Sequence, residues 1–177
     1  MKIDLGKCLI RSYEYSDKQA LVKYADNYKI FSRLKDRFPH PYTEEDAEEW
    51  LGLACNQNPE LNFAIANETE LIGTIGLQLQ DDVDRFSAEI GYWIAEPFWG
   101  QGFATSALLA MTDYAFKHFK FNRLFAGVFE GNDASVKVLE KAGYKLEGKL
   151  RKAVYKDGNF LDEYIYSILR EAHINFR

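Results

Sequence analysis

The sequence predicts an α+β fold: one domain over residues 1–177, with a mixed, mostly antiparallel sheet flanked by about four helices. Three observations predict it. Stretches rich in Ile, Val, Phe and Tyr alternate with period two along the chain. Two longer segments, 44–54 and 103–119, carry an apolar stripe at helical spacing. These pieces follow one another as β-α-α-β-β-β-α-β-α-β-β, so parallel pairing is expected only around the strand–helix–strand unit 87–129.

Residues 8–13 read as the first strand. Ser16 and Gln19 form a capping-box pattern, with a helix following to about Asp26. Residues 28–38 mix rings with Arg33, Lys35 and Arg37 at alternate positions. Pro39-His40-Pro41 then forces an extended turn. Thr43 caps the next helix, whose first turn carries Glu44, Glu45 and Asp46 where the dipole favours acids. Ala47, Trp50, Leu51 and Ala54 mark its inner stripe, and Asn58-Pro59 closes it.

Residues 61–66 and 71–80 form a hairpin around the polar turn Asn67-Glu68-Thr69-Glu70. Gly73 and Gly76 inside its second strand suggest a bulge or a close backbone approach. After a solvated loop holding Asp81, Asp82 and Asp84 comes a strand with Ile90, Tyr92 and Ile94 alternating against Gly91 and Trp93. Pro97 stops that strand, and Gly100 and Gly102 lead into a helix from about Phe103 to Phe119. Its face of Ala104, Ala107, Leu108, Met111 and Ala115 is small enough to lie close to a sheet. A strand at 123–129, a short helix at 134–142 ended by Gly143, and strands 144–155 and 160–169 around Asp157-Gly158 complete the chain.

Composition narrows the function classes. With 47% hydrophobic and 28% charged residues the chain reads as a soluble globular protein, and 15% aromatics suggest a ring-lined core and cleft. A net charge of -5 argues against direct nucleic-acid binding. Cys8 and Cys55 lack metal-ligand spacing and, with three scattered histidines, make no zinc site, so no metal is expected. They read as free thiols of a reducing, cytoplasmic compartment. No signal-peptide pattern opens the chain, and no apolar run is long enough to span a membrane.

The segment from Ile90 to Thr105 organises the rest. A strand that breaks into a glycine turn and feeds a helix start presents several backbone N–H groups at one point, which suits an anion and phosphate above all. A P-loop would need Lys-Ser/Thr where Phe103-Ala104 stand, and a dinucleotide fingerprint would need Gly or Ala at Thr105. What remains, G-x-G-x-A at a helix head, resembles the acetyl-coenzyme A pyrophosphate loop of the GNAT (Gcn5-related) N-acetyltransferases. Further stretches line up in order: Pro41-Tyr42-Thr43-Glu44-Glu45-Asp46-Ala47, Gly73-Thr74-Ile75-Gly76, Glu89-Ile90-Gly91-Tyr92-Trp93-Ile94, Asn132-Asp133-Ala134-Ser135, Glu140-Lys141-Ala142-Gly143-Tyr144 and Glu147-Gly148. Together they resemble the ribosomal-protein N-acetyltransferase branch, which acetylates N-terminal Ser or Ala and has relatives acting on polyamines.

The resemblance implies a sheet splayed between its fourth and fifth predicted strands (87–94 and 123–129), with acetyl-CoA as cosubstrate. Trp93, Ile94 and Ala95 would pair with the pantetheine arm as an added strand does. The N–H groups of Gln101, Gly102, Phe103, Ala104 and Thr105 would take the pyrophosphate. Asn132 and Ser135 would meet the pantetheine or thiol end, and Lys141 a phosphate. Trp99 departs from the family's usual Gln or Arg. Each assignment has a plain structural counterpart: Asn132 as a helix cap, Lys141 as a solvated lysine, Trp93 as core.

Acetyl transfer needs a neutral amine, a stabilised carbonyl oxygen and a proton for the leaving thiolate. A free α-amine, with pKa of about 7.7–8.0, reaches the neutral form at a cost of roughly 1 kcal/mol, against about 4–5 for lysine. Alternation puts Glu89, Gly91 and Trp93 on one face, making Glu89 the candidate base, although it could equally pair with Arg123. A backbone N–H near Ile94 is the simplest oxyanion donor. For the acid, the resemblance implies Ser135, with Tyr144 second. The alanine-specific relatives' glutamate and tyrosine fall on Gly127 and Leu139, and the serine-specific relatives' glutamate on Val154. Two readings follow: direct transfer of acetyl to a primary amine in a ternary complex, or a catalytically silent acetyl-CoA sensor. The acceptor would be a peptide N-terminus, including that of a ribosomal protein, or a small amine; Asp81, Asp82 and Asp84 hint at a polyamine. The aromatic late strands could pair across a homodimer.

Overall fold

Alternating side chains settle into eight strands: β1 (Lys2–Asp4), β2 (Leu9–Arg11), β3 (Asn62–Ala66), β4 (Leu71–Leu79), β5 (Ser87–Ile94), β6 (Arg123–Phe129), β7 (Lys145–Lys156) and β8 (Asn159–Leu169). The helices are α1 (Lys18–Ala25), α2 (Tyr28–Phe31), α3 (Glu44–Ala54), α4 (Phe103–His118), α5 (Asp133–Lys141) and α6 (Arg170–Phe176). The computed structural model describes residues 1–176, and side chains through residue 174. It divides into two units, Met1–Gly76 with Tyr92–Ala107, and Leu77–Gly91 with Leu108–Arg177. The chain thus passes from one unit to the other inside β4, β5 and α4.

In the first unit the strand order is β1-β2-β3-β4-β5, and the β1/β2, β2/β3 and β3/β4 pairs are antiparallel. Its core joins Leu21 and Ala25 of α1, Ala47, Leu51 and Ala54 of α3, and Leu71, Trp93 and Ala95 of the sheet. The expected cap of α3 is present: Thr43 Oγ1 accepts from Asp46 N, and Asp46 accepts from Thr43 N at 2.8 Å. The cap ahead of α1 differs from the expected Ser16/Gln19 pair. Asp17, 4% exposed, is gripped by both terminal nitrogens of Arg11 at 2.6 and 2.7 Å and accepts from Glu14 N at 2.9 Å. The box therefore forms on Glu14 and Asp17, around a single 3-10 turn. A buried ion pair with satisfied lone pairs outweighs a serine cap on the surface.

Gly73 meets the close approach its sequence position suggests. A Cβ there would overlap the Trp93 carbonyl oxygen and stand 2.9 Å from Ile94 Cδ1. Only hydrogen lets β5 come this near, and Ala95 N then donates to Ile72 O at 2.8 Å. The close of β5 is thereby fixed against β4.

In the second unit the order is β4-β5-β6-β8-β7. β5 and β6 are parallel over Ser87↔Arg123, Ala88↔Leu124 and Glu89↔Phe125 only, although β5 continues to Ile94 and β6 to Phe129. That short register is the splay the resemblance implied. β6/β8 and β7/β8 are antiparallel. Leu124, Ala126 and Val128 are buried, while Arg123, Phe125 and Gly127 are half-buried, so one face of β6 is core and the other partly open. Arg170 ties α6 to the end of α4, donating to the Phe119 and Phe121 carbonyls at 2.7 Å. Both α6 and β1 are additions to the predicted elements.

β7 bulges between Leu150↔Glu163 and Val154↔Leu161, and Lys152 there takes φ of 53°. Asp162, 5% exposed, holds the bulge: it accepts from Lys152 N at 2.9 Å and pairs with Lys149 Nζ at 2.6 Å. The Lys149 ammonium, then the Lys152 backbone N–H, hold its carboxyl down to about 2. A folded-state value below the unfolded one means stability present above about 4 and lost as pH falls toward 2. Asp162→Asn is therefore expected to lower Tm at neutral pH, with the gap from the parent closing between about pH 4 and 2 in calorimetric scans. Gly73→Ala is expected to cost about 1–3 kcal/mol by overpacking, read as a Tm drop of several degrees.

Candidate active site

β5 stops where Glu96-Pro97-Phe98 wind into a 3-10 turn, and Gly100 (φ 74°) and Gly102 (φ 87°) turn the chain into α4. Both angles lie in the region that side chains resist, so glycine is the residue this turn requires. The Gly102 carbonyl accepts from Ser106 N at 3.0 Å, which makes Gly102 the cap of α4. Having no side chain, it supplies no oxygen to the first-turn N–H groups of α4. The contrast within the chain is plain, since Thr43 caps α3 and Asn132 caps α5. A Cβ on Gly100 or Gly102 would enter open space. The α4 start thus offers aligned donors and the positive end of a 16-residue helix to an external anion.

The nearest acid in sequence is kept from that anion. Lys29, and then Asn27, hydrogen-bond Glu96 and hold its carboxyl below the usual range. Phe98 packs edge-on between Tyr24 and Phe103, at centroid distances of 5.8 and 6.2 Å, fixing the turn from beneath. Gln101 Nε2 donates to Pro97 O at 3.1 Å. Gln101 is exposed and Phe103, Ala104 and Thr105 are half-buried.

Trp93 is 9% exposed and meets Phe38 edge-on at 6.0 Å, so it is core as well as strand. Ile94 and Ala95 are buried. Successive residues of a strand turn their N–H and C=O to opposite edges. Ala95 N faces β4, and Ile94 therefore faces the other edge. There its carbonyl accepts from Trp99 Nε1 at 2.6 Å. Sequence reading noted Trp99 only as a departure from the family. Its indole in fact claims the Ile94 carbonyl, one of the two backbone hydrogen-bonding groups that Ile94 presents.

In the second unit, Asn132 Oδ1 accepts from Ser135 N at 3.3 Å, so the asparagine does cap its helix. Both are half-buried, while Lys141 lies exposed in the last turn of α5. Tyr144 is 2% exposed. Thr112 Oγ1 donates to Leu108 O at 2.7 Å, so the Tyr144 hydroxyl is left to donate to Thr112 Oγ1 at 2.8 Å. Glu89 is half-buried on the open face with Phe125. Arg123 binds Glu147 through two nitrogens, and Ser167 Oγ donates to the same carboxylate at 2.5 Å. The Arg123 guanidinium first, and then Ser167, hold Glu147 below the usual range.

A mixed sheet with one short parallel pair, running into a glycine turn and a helix start without a side-chain cap, defines an acetyltransferase-type fold. The acetyltransferase (GNAT) domain family matches residues 7–145. Uncharacterized N-acetyltransferase YnaD of Bacillus subtilis is 30% identical over 173 residues, covering 97% of this chain and 98% of its own. The putative ribosomal N-acetyltransferase YdaF of the same organism is 41% identical over 129 residues, 73% of this chain and 69% of its own. Spermidine N-acetyltransferase from Vibrio cholerae, solved with CoA and spermine, superposes with a TM-score of 0.80 at 25% identity, covering 96% of this chain and 99% of that one. The chain belongs to the GNAT family of N-acetyltransferases, near its ribosomal-protein acetyltransferase branch.

Among the described residues no group of three or more His, Cys, Asp or Glu side chains could hold a metal ion. No helix among them is long and apolar enough to cross a membrane. Cys8 is buried, and burial pushes its thiol up from the ordinary value. Gly102→Val would impose a β-branched side chain at φ 87° and place methyl groups before the α4 donors. Losing one or two charge-assisted hydrogen bonds is expected to raise the Kd for CoA about 10- to 100-fold by calorimetry.

Proposed function

We propose that this chain transfers the acetyl group of acetyl-CoA to a primary amine by direct attack within a ternary complex. The observation that carries the reading is the helix start at Gly102, whose first-turn N–H groups are left to an external diphosphate. Acetyl-CoA supplies an activated acyl group on a good thiolate leaving group. The chain's own residues do the rest. The N–H groups from Gln101 to Thr105 hold the diphosphate, and the Ile94 edge of β5 pairs with the pantetheine amides, as Asn132 and Ser135 do from the head of α5. Lys141 adds a cation for a coenzyme phosphate.

Ser135 is the better proton donor to the departing sulfur. The Tyr144 hydroxyl is buried within 2.8 Å of Thr112 Oγ1, whereas Ser135 is half-buried in the first turn of α5. Glu89 receives the proton of the acceptor ammonium, directly or through water. A backbone N–H near Ile94 faces the polarised carbonyl oxygen. No buried lysine-sized demand falls on a weak carboxylate base if the acceptor is an α-amine, which is neutral near pH 8. An N-terminal residue of a peptide or protein is therefore the favoured acceptor, with a small amine next. The exposed acids Asp81, Asp82 and Asp84 stand in the loop ahead of β5, and spermidine stays in the acceptor panel beside the peptides.

Glu89→Gln is expected to lower kcat about 100-fold and to flatten the acidic limb of the pH–rate profile, with the Kd for CoA unchanged. A parent-like profile would remove Glu89 from the proton path. Turnover over a panel of peptides beginning with Ala or Ser, and of spermidine, tests the activity itself. Tight CoA binding with no acetylated product would leave a coenzyme-binding module.

A further inference from the structure

Gly127 is a glycine in the middle of β6, where a side chain would ordinarily help hold the sheet. The space above it is filled from the next strand. A Cβ built on Gly127 would run into Glu163 Oε1, with Glu163 Cδ at 3.1 Å and Cγ at 3.6 Å. Register explains this: Glu163 pairs with Phe129 and Ile165 with Gly127, so the Glu163 side chain leans diagonally along the sheet and lies flat over the glycine. The carboxylate is thus carried to the half-open face of β6, the face that Glu89 shares through its pairing with Phe125. Phe125 and Gly127 are two residues apart, so the Cα atoms of Glu89 and Gly127 lie about 8 Å from each other, one strand spacing across and one repeat along. Two carboxylates from different strands therefore converge on one patch.

We propose that Glu163 is a second catalytic carboxylate, which with Glu89 receives the acceptor ammonium and takes its proton. The inference rests on the acetyl-transfer reading above. The acceptor R–NH3+ gives one proton to the carboxylate pair and becomes R–NH2. Its nitrogen then forms a bond to the thioester carbonyl carbon while the carbon–sulfur bond breaks. The second proton on nitrogen passes through Ser135 to the departing thiolate, and the carboxyl returns its proton to water. The sum is R–NH3+ and thioester giving amide, thiol and one proton. Two carboxylates suit this step better than one, because two negative charges attract an ammonium more strongly than one does.

Charged groups on the same face of these strands include Arg123 and Glu147, which neutralise each other, exposed Lys145 on β7, and Lys156, 4% exposed and opposite Asn159 four residues before Glu163. Leu150 stands opposite Glu163, and Lys149 and Lys152 are drawn to Asp162 at the adjacent position of β8.

The test uses the full-length protein with acetyl-CoA and the acceptor panel of Ala- and Ser-initiated peptides and spermidine. Glu163→Gln keeps the shape that fills the Gly127 hollow and removes only the charge. It is expected to lower kcat/KM for the amine about 100-fold and to move the acidic limb of its pH profile, with Tm and the Kd for CoA unchanged. Gly127→Ala leaves Glu163 intact but pushes its carboxylate aside, and is expected to lower kcat/KM about 10-fold. The double variant should be no worse than Glu163→Gln alone. A carboxylate that merely packs on the glycine would leave the Gln variant with the parent rate and profile, and that result overturns the proposal while the acetyl-transfer reading stands. Absence of transfer by the parent protein to the whole panel overturns both.

Discussion

A helix that begins without a side-chain cap leaves a debt of hydrogen bonds, and in this chain that debt lies at the head of α4. Every other part of the first unit fits around the condition that those donors stay open and in place. Gly100 and Gly102 give the turn its left-handed angles. Phe98, wedged between Tyr24 and Phe103, keeps the turn from collapsing onto its own amides. Glu96, which could have reached back as a cap, is held by Lys29 and Asn27. Gly73 lets β4 approach the Trp93 carbonyl and so sets where β5 ends. A helix start offered to an anion would be compromised by a free local acid, and Glu96, the nearest in sequence, is engaged by Lys29 and Asn27.

Much of this was legible in the sequence because it is local. A turn that needs positive φ selects glycine, Thr43 with Asp46 three residues on writes its own cap, and strand alternation survives in Ile90, Tyr92 and Ile94. The Gly-x-Gly turn could be read from residues adjacent in the chain. The strand at 123–129 matches β6 to the residue, and of the two uses that a glycine inside a strand suggests, a bulge or a close approach, Gly73 takes the second. The GNAT resemblance summed these local signals, and the family match over residues 7–145 agrees with it.

What escaped was settled by partners distant in sequence. Asp17 could have been a solvated acid after Ser16, but Arg11 turns it into the anchor of a different capping box. β1 has three residues and no pattern of its own; it exists because β2 offers an edge. α6 is held through Arg170 reaching the carbonyls of 119 and 121. In the sequence Trp99 is only a departure from the family's usual Gln or Arg. Its indole nevertheless occupies the Ile94 carbonyl, and only the fold brings the two together. A tyrosine's hydroxyl is visible in one letter, while the burial of Tyr144 and its hydrogen bond with Thr112 are visible only in the fold.

The carboxylates make the same point about chemistry. Reading along the chain, the alanine-specific relatives' glutamate becomes Gly127, and the residue type appears lost. Reading across the sheet, the glycine is what admits Glu163 from β8, so a carboxylate is restored to the face by a different strand. An amine losing its proton responds to charge at a point in space and is indifferent to which strand delivers it. Antiparallel register provides that equivalence, because side chains at i and j±2 on one face compete for the same volume. Removing one side chain there opens room for a diagonal neighbour. Position on a sheet face, more than position in the sequence, is then the coordinate in which a catalytic group of this fold should be sought.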